Sequence, residues 1–134
     1  VCFNVRKTAR LMTQLYDEIL RPTGLRVTQF SIMMAIRELE PATLTRLAAV
    51  MAMDRTTLTR NLRPLERQGL VNIAPGDDRR ERQLSLTPHG QHALAHALPL
   101  WERVQERLHE KFGAERLQRL FAELAALRSL SRSR

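Results

Sequence analysis

The chain has 134 residues, of which 43% are hydrophobic, 27% charged and 4% aromatic, a make-up that fits one helix-rich globular domain and argues against disorder. A formal net charge of +8 favours a polyanionic partner such as nucleic acid over an acidic small molecule, with a membrane surface as the rival. No apolar run approaches the roughly 20 residues that span a bilayer, and the single cysteine excludes an internal disulfide framework and suits a reducing compartment.

The sequence opens on Val1 rather than Met, so the lack of a signal peptide carries little weight, and a cytoplasmic location is the expectation. Over residues 3–20, Val5, Ala9, Met12, Leu15, Tyr16 and Ile19 keep helical spacing, and Pro22 with Gly24 closes the segment. Met12, Leu15 and Ile19 are expected in the core. A second helix is predicted over 27–39 with Phe30, Met33, Met34 and Leu39 inward. It ends at the Glu40-Pro41 step, because the residue before proline is pushed out of helical backbone.

Residues 45–70, TRLAAVMAMDRTTLTRNLRPLERQGL, read as two short helices around a tight turn. In the first, Leu47, Ala48 and Met51 make a narrow apolar face, and Thr45 is its expected cap. In the second, Leu58, Leu62 and Leu65 recur at i, i+4 and i+7, which leaves Arg55, Thr56, Thr57, Thr59, Arg60 and Arg63 largely off that face. Asp54 can accept backbone N–H bonds of the next turn, Gly69 is a suitable stop, and Pro64 predicts a bend. Taken alone, the basic side is either a solvated face or a DNA-reading one.

Next come two alternating stretches, 70–74 and 84–86, with Val71, Ile73, Leu84 and Leu86 inward and PGDDRRERQ between them, the pattern of a β-hairpin with a charged tip. A helix-turn-helix followed at once by a hairpin carrying Arg79, Arg80 and Arg82 describes a winged helix, whose tip can lie along a minor groove. Thr87-Pro88 then caps a helix predicted to run to about residue 112, with Leu94, Leu98, Trp101, Val104 and Leu108 on one side and a kink at Pro99. Gly113 interrupts the pattern. Leu117, Leu120, Phe121, Leu124 and Leu127 define a final helix, and the basic SLSRSR end is expected to fray.

The runs DRTTLTRNLRPLERQGLV and DDRRERQLSLTPHG resemble the MarR family of bacterial transcription regulators, and the likeness covers essentially the whole chain. The resemblance implies a mainly α fold with a small β-hairpin wing: a winged helix-turn-helix plus N- and C-terminal dimerisation helices. It is read as a single MarR-type domain over 1–134, with dimerisation helices at 1–22 and 88–131 and a DNA-binding lobe at 26–87. It further implies a homodimer on double-stranded DNA, repression as the expected sign, and no part for a membrane. Arg55, Thr56, Thr57, Thr59, Arg60 and Arg63 would serve the major groove, Arg79, Arg80 and Arg82 the wing, and Asp78 would orient an arginine at the wing base.

The likeness also implies a short extended piece at 42–44 beside the wing. Relatives often have Gly where Ala52 occupies the turn, and Thr or Ser where this chain has Arg26, so the second helix would take its cap from Thr28. Small aromatic or phenolic effectors of such proteins bind between dimer helices and lobe, where Tyr16, Phe30, Met33 and Trp101 could form a wall; plain core packing is the other reading, favoured for Phe30 and Met33. Cys2 resembles the first-helix cysteine of peroxide-responsive relatives, and Tyr16 matches one of their thiolate-holding tyrosines while Val27 replaces the other. An inert buried cysteine is the other reading, and the favoured one.

No Ser-His-Asp or Cys-His arrangement and no Gly-rich phosphate loop is present, so an enzyme is not expected, and no cofactor is implied. His89, His92 and His96 fall within about 60° on one helix face, which could clasp a metal in a metal-responsive regulator or form a solvated edge. The remaining alternative is a winged helix that binds another protein without reading DNA.

Overall fold

The structure, a computed structural model, describes residues 1–39, 41–78 and 80–132. Its elements are α1 (Cys2–Leu20), α2 (Val27–Glu38), α3 (Leu44–Met51), α4 (Arg55–Arg67), β1 (Val71–Pro75), β2 (Arg82–Leu86) and α5 (Pro88–Arg132), the mainly helical fold with one hairpin that the sequence predicts. The chain divides into two compact units, Val1–Leu100 and a second that begins at Trp101. Among the described residues no helix is long and apolar enough to cross a membrane.

Proline and glycine end α1 as expected. A 3₁₀ turn (Arg21–Thr23) follows it, and Gly24 takes the left-handed backbone (φ 76, ψ −1) that glycine adopts at least cost. The start of α2 differs from the expectation. Arg26, not Thr28, is the N-cap residue, and an arginine side chain has no acceptor to offer. The acceptors come from elsewhere: Gln29 Oε1 takes the Arg26 N–H at 3.0 Å, and Asp17 Oδ1, on α1, takes the Val27 N–H at 2.7 Å. α2 ends at Glu38, ahead of Pro41; Glu40 lies outside the described residues.

α3 begins two residues earlier than the sequence suggests, and Thr43 rather than Thr45 caps it by accepting the Arg46 N–H at 3.2 Å. Ala52 closes it in left-handed backbone (φ 52, ψ 42), the conformation anticipated for this turn. Asp54 then caps α4, its Oδ1 accepting the Thr57 N–H at 2.7 Å, and Gly69 (φ 71) follows the helix end. The assignment remains helical through Pro64.

The hairpin pairs Val71 with Leu86 and Ile73 with Leu84, so the four residues predicted to face inward share one side; Val71 and Leu84 are buried, Ile73 and Leu86 half-buried. The extended piece is present at Ala42–Thr43. Thr43 bridges Gln83, and the Leu84 N–H donates to the Ala42 carbonyl at 2.8 Å, an isolated bridge at the base of the wing.

Thr87 locks the hairpin to the next helix. Its hydroxyl donates to the Gly69 carbonyl and accepts the Gly90 N–H at 2.9 Å, while its own N–H reaches the Leu70 carbonyl at 3.1 Å. The first turn of α5 comes so near Leu70 that a Cβ at Gly90 would overlap the Leu70 carbonyl oxygen. α5 breaks at Gly113, where the sequence pattern is interrupted, with non-helical backbone (φ 76, ψ 154), and stays helical at Pro99. A proline removes one donor, whereas that positive φ leaves the helix altogether. Helix continues to Arg132, into the SLSRSR end expected to fray, with the Ser129 and Ser131 hydroxyls bonded back to the Ala126 and Arg128 carbonyls; residues 133 and 134 lie outside the described ones.

The core of the first unit holds Leu20, Phe30, Ile32, Met33, Ile36, Leu47, Leu58, Leu62, Leu65, Val71 and Leu94. Ile32 and Ile36 were not distinguished by periodicity because α2 touches α1, α3 and β2 and is apolar on more than one side. The expectation that Leu15 is core fails within the single chain: it is exposed, and Met12 and Ile19 are only half-buried. In the second unit Val104 and Leu117 are buried, while Leu120, Phe121, Leu127 and Leu130 are exposed.

Candidate nucleic-acid interface

Because Leu58, Leu62 and Leu65 anchor α4 in the core, the helix phase turns its other side outward. Arg55, Thr56, Thr59, Arg60 and Arg63 line one open groove there. Its chemistry is three guanidiniums and two hydroxyls, which suits phosphate oxygens and the acceptor-rich edges of base pairs. Thr57, predicted with them, is not among the groove residues. It lies half-buried beside the cap, where its N–H is held by Asp54 and its carbonyl accepts from Asn61 Nδ2 at 2.9 Å.

The cap is electrostatically settled. The Thr57 N–H foremost, then the Thr57 hydroxyl, hold the Asp54 carboxyl below the ordinary carboxylate range. A negative group at this end of α4 also complements the helix dipole.

At the wing, Arg80 is exposed at the tip and Arg82 is exposed in β2, opposite Pro75; Arg79 lies outside the described residues. Asp78, expected to orient an arginine at the wing base, organises the backbone of the tip. Its Oδ1 accepts the Arg80 backbone N–H at 3.1 Å, and its carbonyl accepts the Glu81 N–H at 2.9 Å. This is the local side-chain-to-backbone bonding that favours aspartate in turns.

One contact across this face, made by Glu81, is not legible in the sequence pattern. Glu81 reaches across to the start of α3, where Oε2 accepts the Thr45 hydroxyl at 2.8 Å and Oε1 the Thr45 N–H at 3.2 Å. The hydroxyl foremost, then the N–H, hold the Glu81 carboxyl below its usual range. Thr45 in turn accepts Arg55 Nη1 at 3.3 Å, and Arg55 Nη2 reaches the Arg80 carbonyl at 3.3 Å. Nothing local marks Glu81, since its partner is 36 residues away.

The other candidates separate. Phe30 and Met33 are fully packed core residues. Tyr16 is half-buried, and desolvation raises its phenol pKa, while Trp101 is half-buried in the second unit. Cys2 is exposed rather than buried, in a shallow concavity shared with Phe3, Arg6 and Arg10. His89, His92 and His96 are exposed, and among the described residues no three His, Cys, Asp or Glu side chains converge as a metal-ligand set.

Comparison with known proteins places this geometry. The MarR family model matches residues 25–81. The Mycobacterium tuberculosis transcriptional regulator MosR, in complex with DNA, is 40% identical and superposes with a TM-score of 0.85 over 98% of both chains. An uncharacterized HTH-type transcriptional regulator of Bacillus cereus is 31% identical over 111 residues, 83% of this chain and 74% of the relative. The Bacillus subtilis regulator YwoH, also uncharacterized, is 31% identical over 83 residues, 62% of this chain; the match spans 61% of the YwoH length.

Proposed function

The chain belongs to the MarR family of winged-helix, DNA-binding transcription regulators, and from that premise we propose that it acts as a homodimeric repressor at a pseudo-palindromic operator. Each protomer would set α4 in a major groove and its wing on the adjacent minor groove. The observation that carries the reading is the open groove of Arg55, Thr56, Thr59, Arg60 and Arg63 on the outward face of α4. The DNA complex of the 40%-identical relative supports it.

Homodimerisation is supported by apolar side chains that the single chain leaves in water: Phe3 and Leu11 on α1, Phe121 and Leu130 near the end of α5. We assign residues 1–22 and 88–131 to the dimer and 26–87 to the DNA-binding lobe. The test uses a duplex enriched from a random pool by the protein itself. Arg60→Ala should weaken that complex by about 1–3 kcal/mol, as expected for loss of a base-edge contact, and Arg80→Ala should weaken binding more evenly across sequences. Affinity should fall steeply with salt through counterion release, whereas a winged helix docking on a protein would be far less salt-sensitive. Unchanged affinity in both variants at physiological salt would overturn the assignment.

Release from the operator is assigned to either of two triggers. One is a small aromatic or phenolic ligand beside Tyr16. The other is oxidation, through its thiolate, of Cys2, which is exposed in a shallow concavity with Arg6 and Arg10. A peroxide would convert that thiolate to a sulfenic acid, itself reduced to the alcohol, and the added polar bulk would disturb packing of the first helix. Operator binding is titrated against organic peroxide for the wild type and Cys2→Ser, with a phenolic acid in parallel. Equal peroxide responses would make the cysteine structural and leave the ligand as the trigger.

A further inference from the structure

The wing is a two-stranded hairpin, and such hairpins are barely stable by themselves, so its direction must come from contacts with the rest of the fold. Its base is tied by the Thr43–Gln83 bridge and the Leu84–Ala42 hydrogen bond. Its tip is shaped internally: Gly76 N–H to the Glu81 carbonyl at 2.9 Å, Glu81 N–H to the Asp78 carbonyl at 2.9 Å, and Arg80 N–H to Asp78 Oδ1 at 3.1 Å. Those bonds fix the turn and leave its aim open.

Three further bonds join the tip to the helix-turn-helix. Glu81 takes both the hydroxyl and the N–H of Thr45, and Arg55 gives one N–H to the Arg80 carbonyl. They converge on Thr45, whose hydroxyl hydrogen goes to Glu81 while its oxygen receives Arg55 Nη1. The Thr45 N–H is one of the unpaired donors of the first turn of α3, so the carboxylate also meets the positive end of that helix. Arg55, the first residue of α4, lines the outward groove and with two of its N–H donors also braces α3 against the wing tip.

We propose that Glu81 is a positioning residue for DNA binding: clasped to Thr45, with Arg55 as a strut, it aims the wing so that Arg80 and the outward face of α4 engage neighbouring grooves together. The inference rests on the DNA-binding role assigned above. Its sign distinguishes it from a simple charge effect. A carboxylate near phosphates repels them, so on charge alone its removal tightens binding; as the clasp of the wing, its removal weakens binding.

The experiment measures affinity by fluorescence anisotropy on the pool-enriched duplex across a salt series. Glu81→Ala should weaken binding roughly five- to tenfold and lower the salt slope by about one, the mark of a disengaged phosphate contact. Glu81→Gln keeps an acceptor oxygen for Thr45 and should recover most of the loss. In an Arg80→Ala background Glu81→Ala should have no further effect, because the wing is already silent. Thr45→Val, which removes only the hydroxyl, should weaken binding in the same direction and should not add to Glu81→Ala. Binding by Glu81→Ala as tight as wild type or tighter, or full additivity with Arg80→Ala, would overturn the proposal. Arg60→Ala separates the two levels: if it weakens binding while Glu81→Ala does not, only the clasp fails. If Arg60→Ala also leaves affinity unchanged, the DNA-binding role falls and takes the clasp with it.

Discussion

On α4 the apolar positions Leu58, Leu62 and Leu65 retain 0–1% of their surface, whereas on α1 Phe3, Val5 and Leu11 retain 70, 43 and 55%. Both helices carry apolar residues at helical spacing, and the difference lies in what the rest of the chain offers them. α4 sits against α3 and β1, which cover its apolar face and so fix which side chains point outward. The N-terminal half of α1 finds no such cover, and Phe112, Leu120 and Phe121 share that condition in the second unit. The lobe completes its core within one chain. The exposed stripes are what the proposed dimer would cover, and burying them would be worth about 25 cal/mol per Å² of apolar area.

Five substitutions sharpen or break this contrast. The largest effect is expected from Leu62→Ala, which opens a cavity in the lobe and should lower unfolding free energy by about 2–5 kcal/mol in a denaturant titration. Phe121→Ser, made on an exposed side chain, should instead shift sedimentation towards the monomer at micromolar concentration. A monomeric wild type with full operator affinity would break the contrast outright.

Gly90→Ala comes second. Its Cβ would overlap the Leu70 carbonyl oxygen, which is backbone and cannot swing aside, so α5 must move from the hairpin base. A loss of about 1–3 kcal/mol is expected by the same titration, and an unchanged midpoint would show that this junction gives way easily.

Ala52→Gly should act in the other direction. Ala52 holds left-handed backbone at φ 52, where glycine pays less steric cost, though glycine also gains freedom in the unfolded chain. A net gain of about 0.5–1 kcal/mol is expected, and a loss would mean that the turn is not strained.

The smallest effect concerns Asp54 and pH. Its folded-state pKa is depressed, so its stabilising contribution is present above the unfolded carboxyl pKa and disappears as pH falls through the folded value. Asparagine caps without ionising. The stability of wild type relative to Asp54→Asn should therefore decline on acidification in thermal melts taken from neutral pH downwards. A pH-independent difference would show that the charge contributes nothing.

Much of the interface was legible in the sequence because it depends on near neighbours. The i, i+4, i+7 leucines set the phase of α4, Asp54 and Gly69 mark its two ends, and alternation over Val71, Ile73, Leu84 and Leu86 fixes the hairpin register. Periodicity reports which residues share a face, and it is silent on what meets that face. Tertiary structure alone decided that Asp17 caps α2 from ten residues away, and that Glu81 takes Thr45 across 36. It also tied Arg55 to the wing tip, withdrew Thr57 to the cap and left Cys2 exposed. A hydrogen bond between distant elements depends on how those elements pack, and local spacing carries no record of that distance.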